Sequence, residues 1–213
     1  LYGKIEEIYK ALAQAAVAQM GRRILDQGKA AGVVLEVKED LATMFMRWAL
    51  EYIFSELMRT RITNVTETTR EEIVKAVARG YADGLGQREV AQRILEEIPE
   101  MSDYRANLIA RTETHGAANY GAQRAAQYSG LPMRREWISG LDRRTRAIFR
   151  DDQFDHVEAD GQIVGMDEPF LIRKRTGGVE ALMYPGDPAG SAGNVINCRC
   201  SVGFIVDESR LFD

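Results

Sequence analysis

Apolar residues recur at helical spacing through the first half of the chain. Segments 5–27 and 40–60 each carry a stripe of them along one side, which predicts two amphipathic helices packed on a core. A third helix is expected to begin at the capping-box sequences that start at Thr68 and Thr69, and to run to about Tyr81. This part of the chain is therefore predicted to be helical.

Two further helices are predicted before the pattern changes. The shorter one covers 88–98 and ends because Pro99 cannot continue it. The longer one is capped by Ser102 and extends to Ser129, with Gly130 where helices commonly end in a left-handed residue. The acidic residues of 88–98 would repel phosphate, so we interpret the short helix as a packing element and not as a DNA reader.

The long helix carries a polar stripe. Arg111, His115 and Asn119 follow at intervals of four residues and thus share a face, with Glu113 beside them. Alanine fills many of the other positions and allows another backbone to approach closely. Such a stripe is either exposed to solvent or forms a buried, hydrogen-bonded seam that fixes a neighbouring domain, because buried polar groups need partners.

Beyond Pro132, glycine and proline become frequent and apolar runs shorten. Short strands are predicted at 162–164, 171–173 and 202–206. We also expect a helix that begins at Asp142, its cap, and ends near residue 152. The short apolar runs and the frequent turn residues of this part indicate a small, β-rich and turn-rich domain.

The elements together predict an α+β protein. An all-helical region over 1–131 is followed by the small domain over 132–213, and 213 residues suffice to bury a core. The chain contains no run of eighteen apolar residues, so no membrane span is expected.

Charge is unevenly distributed. The net charge of −4 argues against a general nucleic-acid coat. Six arginines lie within 134–150, whereas 151–168 holds seven acidic residues and no lysine or arginine. The two blocks either pair internally or form two binding faces, and binding of DNA by the basic block is a further hypothesis.

The two cysteines are separated by a single residue, which points to metal chemistry. Thiolates of Cys198 and Cys200 can both face one Zn²⁺, and His156 is the natural third ligand. The candidates for a fourth ligand are His115, Asp155 and Asp160. A site without a fourth protein ligand is the remaining alternative. The alternative is that both cysteines are buried as small apolar side chains.

The same stretch permits a hydrolytic interpretation. A histidine oriented by a carboxylate, as in Asp155-His156, can act as a general base, and Asp160 follows closely. This describes a metal-dependent nuclease or hydrolase. The alternative is a structural histidine held by its neighbour.

An arginine cluster beside Trp137 has two interpretations. Asp142, Arg144 and Arg146 either bind phosphate, since guanidinium groups match its geometry, or tie a loop to the acidic block. The charge pattern favours the tie.

Seven motifs follow one another in a fixed order. They are Ala110-Arg111-Thr112-Glu113-Thr114, Trp137, Asp142-x-Arg144-Thr145-Arg146, Asp155-His156-x-x-x-Asp160-Gly161-Gln162, Pro169-Phe170, Tyr184-Pro185-Gly186-Asp187-Pro188 and Asn197-Cys198-Arg199-Cys200. In this order they resemble the phage head morphogenesis family typified by the F protein of bacteriophage Mu. The resemblance is close over 105–202 and general over 1–101.

The resemblance implies a minor structural protein of tailed-phage heads. Such a protein is present in few copies, associates with the portal or the capsid interior during assembly, and in some members leaves with the DNA. We therefore expect portal, capsid and scaffold proteins as partners, contact with packaged DNA, and a place in the virion head after assembly in the host cytoplasm. Some members carry toxin-like or nuclease-like domains after this one, and with about ten residues beyond Val202 we expect none here.

The resemblance also implies roles for the motif residues. The long helix, which carries Arg111 and Glu113, is expected to dock the small domain, with Asp142, Arg144 and Arg146 as hydrogen-bonding partners at the seam. The residues expected to be architectural are Arg111, Glu113, Trp137, Asp142, Arg144, Arg146, Asp160 and Asn197. Another branch of the family has a C-x-x-C before the D-G element and a histidine before C-R-C, which together indicate zinc; this chain has arginines and Asn197 there.

Overall fold

A computed structural model describes residues 41–55, 66–207 and 209. The helices are α1 (Leu41–Ile53), α2 (Glu67–Ala82), α3 (Gln87–Glu97), α4 (Asp103–Tyr128), α5 (His156–Ala159) and α6 (Ala192–Val195). The strands are β1 (Met133–Ile138), β2 (Ile163–Gly165), β3 (Phe170–Arg173), β4 (Val179–Leu182) and β5 (Ser201–Val206). The helix predicted over 5–27 lies outside the described residues.

Local capping sets where the longer helices begin. The Ser102 hydroxyl accepts from the backbone N–H of Arg105 and starts α4 as predicted, and Gly130 follows with a φ of 66°. In α2 the capping residue is Thr66, whose hydroxyl accepts from the N–H of Thr69, so the helix begins slightly earlier than predicted.

The four longer helices pack together, with α4 as their common partner. Helices α1 and α3 pack directly on α4, and α2 packs on α3. The buried residues between them are mostly aliphatic and include Ile73, Val77, Val90, Ile94 and Ala110. The small side chains of α4 permit this close packing, as the alanine content predicts.

The small domain contains a three-stranded antiparallel sheet with the order β2-β1-β5. Alternate residues of β1 point inward, so that Met133, Arg135 and Trp137 are buried. Strands β3 and β4 form a separate antiparallel hairpin. The hairpin and the sheet share a core with Ala122 of α4, so the long helix contributes to both parts of the protein.

The α+β fold is confirmed. Among the described residues, the four longer helices end by Tyr128, and the strands begin at Met133, with the short helices α5 and α6 between them. The three predicted strands correspond to β2, β3 and β5, whereas β1 and β4 were not predicted. Among the described residues, no helix is long and apolar enough to cross a bilayer.

The helix predicted over 142–152 is wrong. The Asp142 carboxylate accepts from the N–H of Arg144, two residues along, and thereby closes a tight turn. A short 3-10 helix, Ile148–Arg150, follows and ends at Asp151 with a φ of 74°. The backbone is extended at Ala147, whose N–H donates to the carboxylate of Asp152, and this interrupts the helix that Asp142 was expected to cap.

Candidate functional site

Cys198, Cys200 and His156 converge in the interior of the small domain. Nδ1 of His156 lies 3.7 Å from the sulfur of Cys198 and 3.4 Å from the sulfur of Cys200. The three donor atoms lie within 4.8 Å of one another, and all three residues are buried. Two sulfurs and an imidazole nitrogen are donors that suit zinc.

The orientation of His156 is fixed by its surroundings. Asp155 caps α5 by accepting from the N–H of Glu158, and the backbone N–H of His156 donates to the carbonyl of Arg146. Nε2 lies 2.7 Å from the amide oxygen of Asn194. Because that oxygen can only accept, Nε2 carries the ring hydrogen, and the lone pair of Nδ1 faces the two sulfurs.

The two thiols differ in acidity. Hydrogen bonding from the Cys198 thiol lowers the pKa of Cys200 below the ordinary thiol value. The same bond, together with burial, raises the pKa of Cys198 well above that value. The metal-free pair therefore holds on to one proton while the other is released more easily.

None of the candidates for a fourth ligand belongs to this cluster. Nε2 of His115 lies 2.5 Å from the carbonyl oxygen of Cys200. Asp155 caps α5, and the Asp160 carboxylate accepts from the N–H of Ser139 at 2.7 Å. In the part of the chain that the structure describes, the cluster thus offers three donors.

The polar stripe of α4 bonds to the segment that carries the cysteines. The Arg111 guanidinium donates to the side-chain oxygen of Asn197 at 2.7 Å and to that of Gln87 at 3.1 Å. The backbone N–H of Asn197 donates to the hydroxyl of Thr112 at 2.9 Å. Two hydrogen bonds of Asn197, one accepted from Arg111 and one donated to Thr112, therefore join the turn before Cys198 to helix α4.

Asn119 extends this seam two helical turns further. Its amide donates to the carbonyls of Pro185 and Cys200, and its oxygen accepts from the N–H of Val202. Asn119 is buried, as is Glu113 on the same helix. The stripe thus satisfies backbone groups of the small domain that have no strand partner at these positions.

The loop after Trp137 forms hydrogen bonds with the segment that carries the cysteines. Asp142 accepts from the guanidinium of Arg199 as well as from Arg144, and Arg146 donates to the carbonyl of Ile196. Hydrogen bonds from Arg144 and the charge of Arg199 lower the pKa of Asp142.

Asp142 and Arg146 thus form hydrogen bonds with the segment that carries the cysteines, and Arg111 of α4 bonds to Asn197 in the same segment. The bonds of Asp142 and Arg146 attach the loop to this segment. Trp137 is fully buried in the core and makes edge-to-face ring contacts with His156 and Phe170.

Arg135 is a central residue that the sequence analysis missed. It is fully buried on β1, and its guanidinium donates to the carbonyl of Gly165 at 2.9 Å, to the side chain of Gln123 at 3.2 Å and to the carbonyls of Met183 and Glu168. Its charge lies 5.3 Å from the centre of the Phe170 ring. Burial lowers its pKa. The available signal was its place between Met133 and Trp137 in an alternating strand.

The site is thus internal: motif residues hold a small antiparallel sheet against a long helix and enclose a thiol–imidazole cluster. The chain belongs to the family of phage Mu protein F like proteins, whose family model matches residues 71–203. The resemblance to head morphogenesis proteins is confirmed by this match. No solved structure matches the chain significantly.

Three curated relatives are similar to this chain. It is 33% identical over 152 residues to minor head protein GP7 of Bacillus phage SPP1, covering 68% of this chain and 45% of that protein. It is 23% identical over 151 residues to the uncharacterized protein YqbB of Bacillus subtilis, covering 71% and 47%.

The third relative is the NAD(+)--arginine ADP-ribosyltransferase EFV of Enterococcus faecalis, 27% identical over 150 residues that cover 69% of this chain and 28% of that protein. The matched part spans less than half the length of each of these relatives.

Proposed function

We propose that this chain is a non-enzymatic structural protein of a tailed-phage head that acts during assembly at the portal or the capsid interior. The observation that carries the proposal is the bond between Arg111 and Asn197, because it uses two motif residues to join helix to domain. The similarity to a minor head protein supports the same role. In this proposal the motifs build the fold, and the surfaces bind the partners.

The surroundings of His156 support a structural role over hydrolysis. The residue is 1% exposed, Nε2 bonds to Asn194, and Nδ1 faces two sulfurs. A general base must reach substrate or water with a free nitrogen. Asp155 is likewise occupied in capping α5 and in an ion pair with Arg173.

The ADP-ribosyltransferase activity in one relative's name is not part of the proposal. This chain matches 28% of that protein's length, so the name describes a much longer polypeptide. A shared segment of this kind fits a head module joined to another domain.

The arginines of 134–150 give little support to DNA binding as a main function. Arg135 is buried, and Arg146 and Arg150 donate to backbone carbonyls. The remaining three of the six, Arg134, Arg143 and Arg144, are exposed, and Arg144 pairs with Asp142. Phosphate contacts require exposed cations. We therefore propose that partner binding uses the helical region, where Tyr104 at the start of α4 is 77% exposed.

Co-expression tests the proposal. The chain is produced with the portal and major capsid proteins of the same phage genome, and assembled particles are separated on a density gradient. We expect the chain to sediment with the particles and Tyr104→Glu to reduce its share. A chain that remains entirely in the unassembled fractions would overturn the proposal.

A further test addresses hydrolysis. Purified chain is incubated with duplex DNA and Mg²⁺, Mn²⁺ or Zn²⁺, beside His156→Ala. We expect no cleavage above that of the variant, whereas metal-dependent cleavage that the variant lacks would establish the enzymatic alternative.

A further inference from the structure

We propose that Cys198, Cys200 and His156 bind one Zn²⁺ ion that locks the cysteine segment onto α5 and thereby supports the seam with α4. This site is independent of partner binding in the head, and its test does not depend on that function.

The spacing of the donors fits a tetrahedral zinc ion. With Zn–S bonds of about 2.3 Å and a Zn–N bond of about 2.0 Å, sulfur and nitrogen ligands lie about 3.5 Å apart. The two sulfur-to-Nδ1 distances here are 3.7 Å and 3.4 Å. The side chains already stand at ligand separation, so binding requires little rearrangement.

The number of lone pairs also favours a metal. Nδ1 of His156 has one lone pair, because the hydrogen of the ring lies on Nε2 and donates to Asn194. One lone pair accepts one hydrogen, yet both sulfurs lie near it. In the metal-free cluster the Cys198 thiol donates to Cys200, and the nitrogen accepts from at most one thiol, whereas one cation would bind all three donor atoms directly.

Charge balance makes the buried site favourable. Two thiolates and one Zn²⁺ sum to zero, and the surroundings include Trp137, Phe154 and Val202. An apolar shell of this kind disfavours any net charge. The bond between His156 and Asn194 supplies the outer hydrogen bond that usually orients a zinc-bound imidazole.

The site has a structural consequence for the seam. The ligands come from α5 and from the connection between α6 and β5, which carries both cysteines, so one ion joins two segments that lie far apart in the chain. The carbonyl of Cys200 is bonded by both His115 and Asn119 of α4. Fixing Cys200 therefore fixes an acceptor on which the long helix depends. The described residues supply three of the four ligands that a tetrahedral zinc ion takes.

Metal analysis of the full chain tests the site. The protein is purified without chelator and its metal content measured by mass spectrometry, with an expected content of about one zinc per chain. Replacement of zinc by Co²⁺ is expected to give thiolate-to-cobalt charge-transfer absorption and intense tetrahedral bands. Removal of zinc by a chelator is expected to lower Tm by at least about 5 °C, and added Zn²⁺ to restore it.

Variants assign the ligands. Cys198→Ser, Cys200→Ser and His156→Asn are each expected to lose the zinc, whereas the control His115→Gln, which alters a neighbour of Cys200, is expected to keep it. Zinc retained by His156→Asn would overturn the ligand assignment. A wild-type chain that takes up neither Zn²⁺ nor Co²⁺ and whose Tm is unaffected by chelator would overturn the site, whether or not the variants fold.

Discussion

Arg111 and Asn197 lie 86 positions apart in the chain, yet the guanidinium of one donates to the side-chain oxygen of the other at 2.7 Å. Asn197 adopts a left-handed conformation with a φ of 61°, and its N–H bonds to Thr112. The residue thus turns the backbone into the cysteine segment while attaching it to α4. The first and the last of the seven motifs meet in these two hydrogen bonds.

Two substitutions of Asn197 separate its side-chain bond from its backbone conformation. Asn197→Gly keeps the left-handed conformation and loses the bond, so we expect a loss of about 1 kcal/mol in the free energy of unfolding. Asn197→Ala adds backbone strain and should cost about 1 kcal/mol more. Denaturant unfolding measures both, and the account predicts that Asn197→Gly has little further effect in an Arg111→Ala background. An additive double variant would contradict the pairing.

Gly116 lies where three parts of the protein meet. A Cβ at this position would overlap the hydroxyl of Tyr52 and lie 3.2 Å from the carbonyl of Gly186. Glycine to alanine within a helix normally stabilises, but here we expect Gly116→Ala to lower stability by about 1–3 kcal/mol. Thermal unfolding checks the sign. Tyr52→Phe, which removes the hydroxyl, should recover part of the loss, and a stabilising Gly116→Ala would show that the approach is not tight.

Arg134 and Arg135 are adjacent in sequence but differ in environment. Arg135→Met leaves buried carbonyls of Gly165, Met183 and Glu168 without their donor, so we expect a loss of about 3 kcal/mol or more. Arg134 is exposed on the same strand, and Arg134→Met should change stability by less than about 0.5 kcal/mol. Chemical denaturation compares the two variants. Equal effects would contradict the role given to Arg135.

Asp142 links stability to pH. Its pKa in the folded protein is lowered, chiefly by the backbone N–H of Arg144, so the folded state favours the carboxylate. The contribution is complete above the unfolded value of about 3.9 and is lost as pH falls through the lower folded value. We therefore expect Asp142→Asn to be destabilising at pH 7, and the difference from the wild type to shrink as pH falls from 7 to below about 3.9. A constant difference across this interval would contradict the shift.

How well a feature could be predicted depends on how far apart along the chain its interacting residues lie. The start of α4 at Ser102 and its end before Gly130 depend on local bonds, and both were predicted. Strand β1 was missed because charged residues interrupt its apolar pattern, although Arg135 faces the core. The helix expected after Asp142 does not form because the backbone becomes extended at Ala147, whose N–H donates to the Asp152 carboxylate.

Partners across long separations were the least accessible to sequence reasoning. The stripe of Arg111, His115 and Asn119 was visible from its spacing, but its acceptors are mainly backbone carbonyls and Asn197, which no local pattern marks. The cluster of His156 with the two cysteines was one of several combinations that the sequence allowed. Folding of β5 against β1 decides among them.

The most direct test of the structural role is the composition of mature virions. Particles of the phage or prophage that encodes the chain are purified after induction, and the copies of this protein per particle are counted by quantitative mass spectrometry against the portal protein. The account predicts a small, fixed number of copies that withstands extensive washing. Complete absence from particles, with the protein abundant in the surrounding lysate, would contradict it.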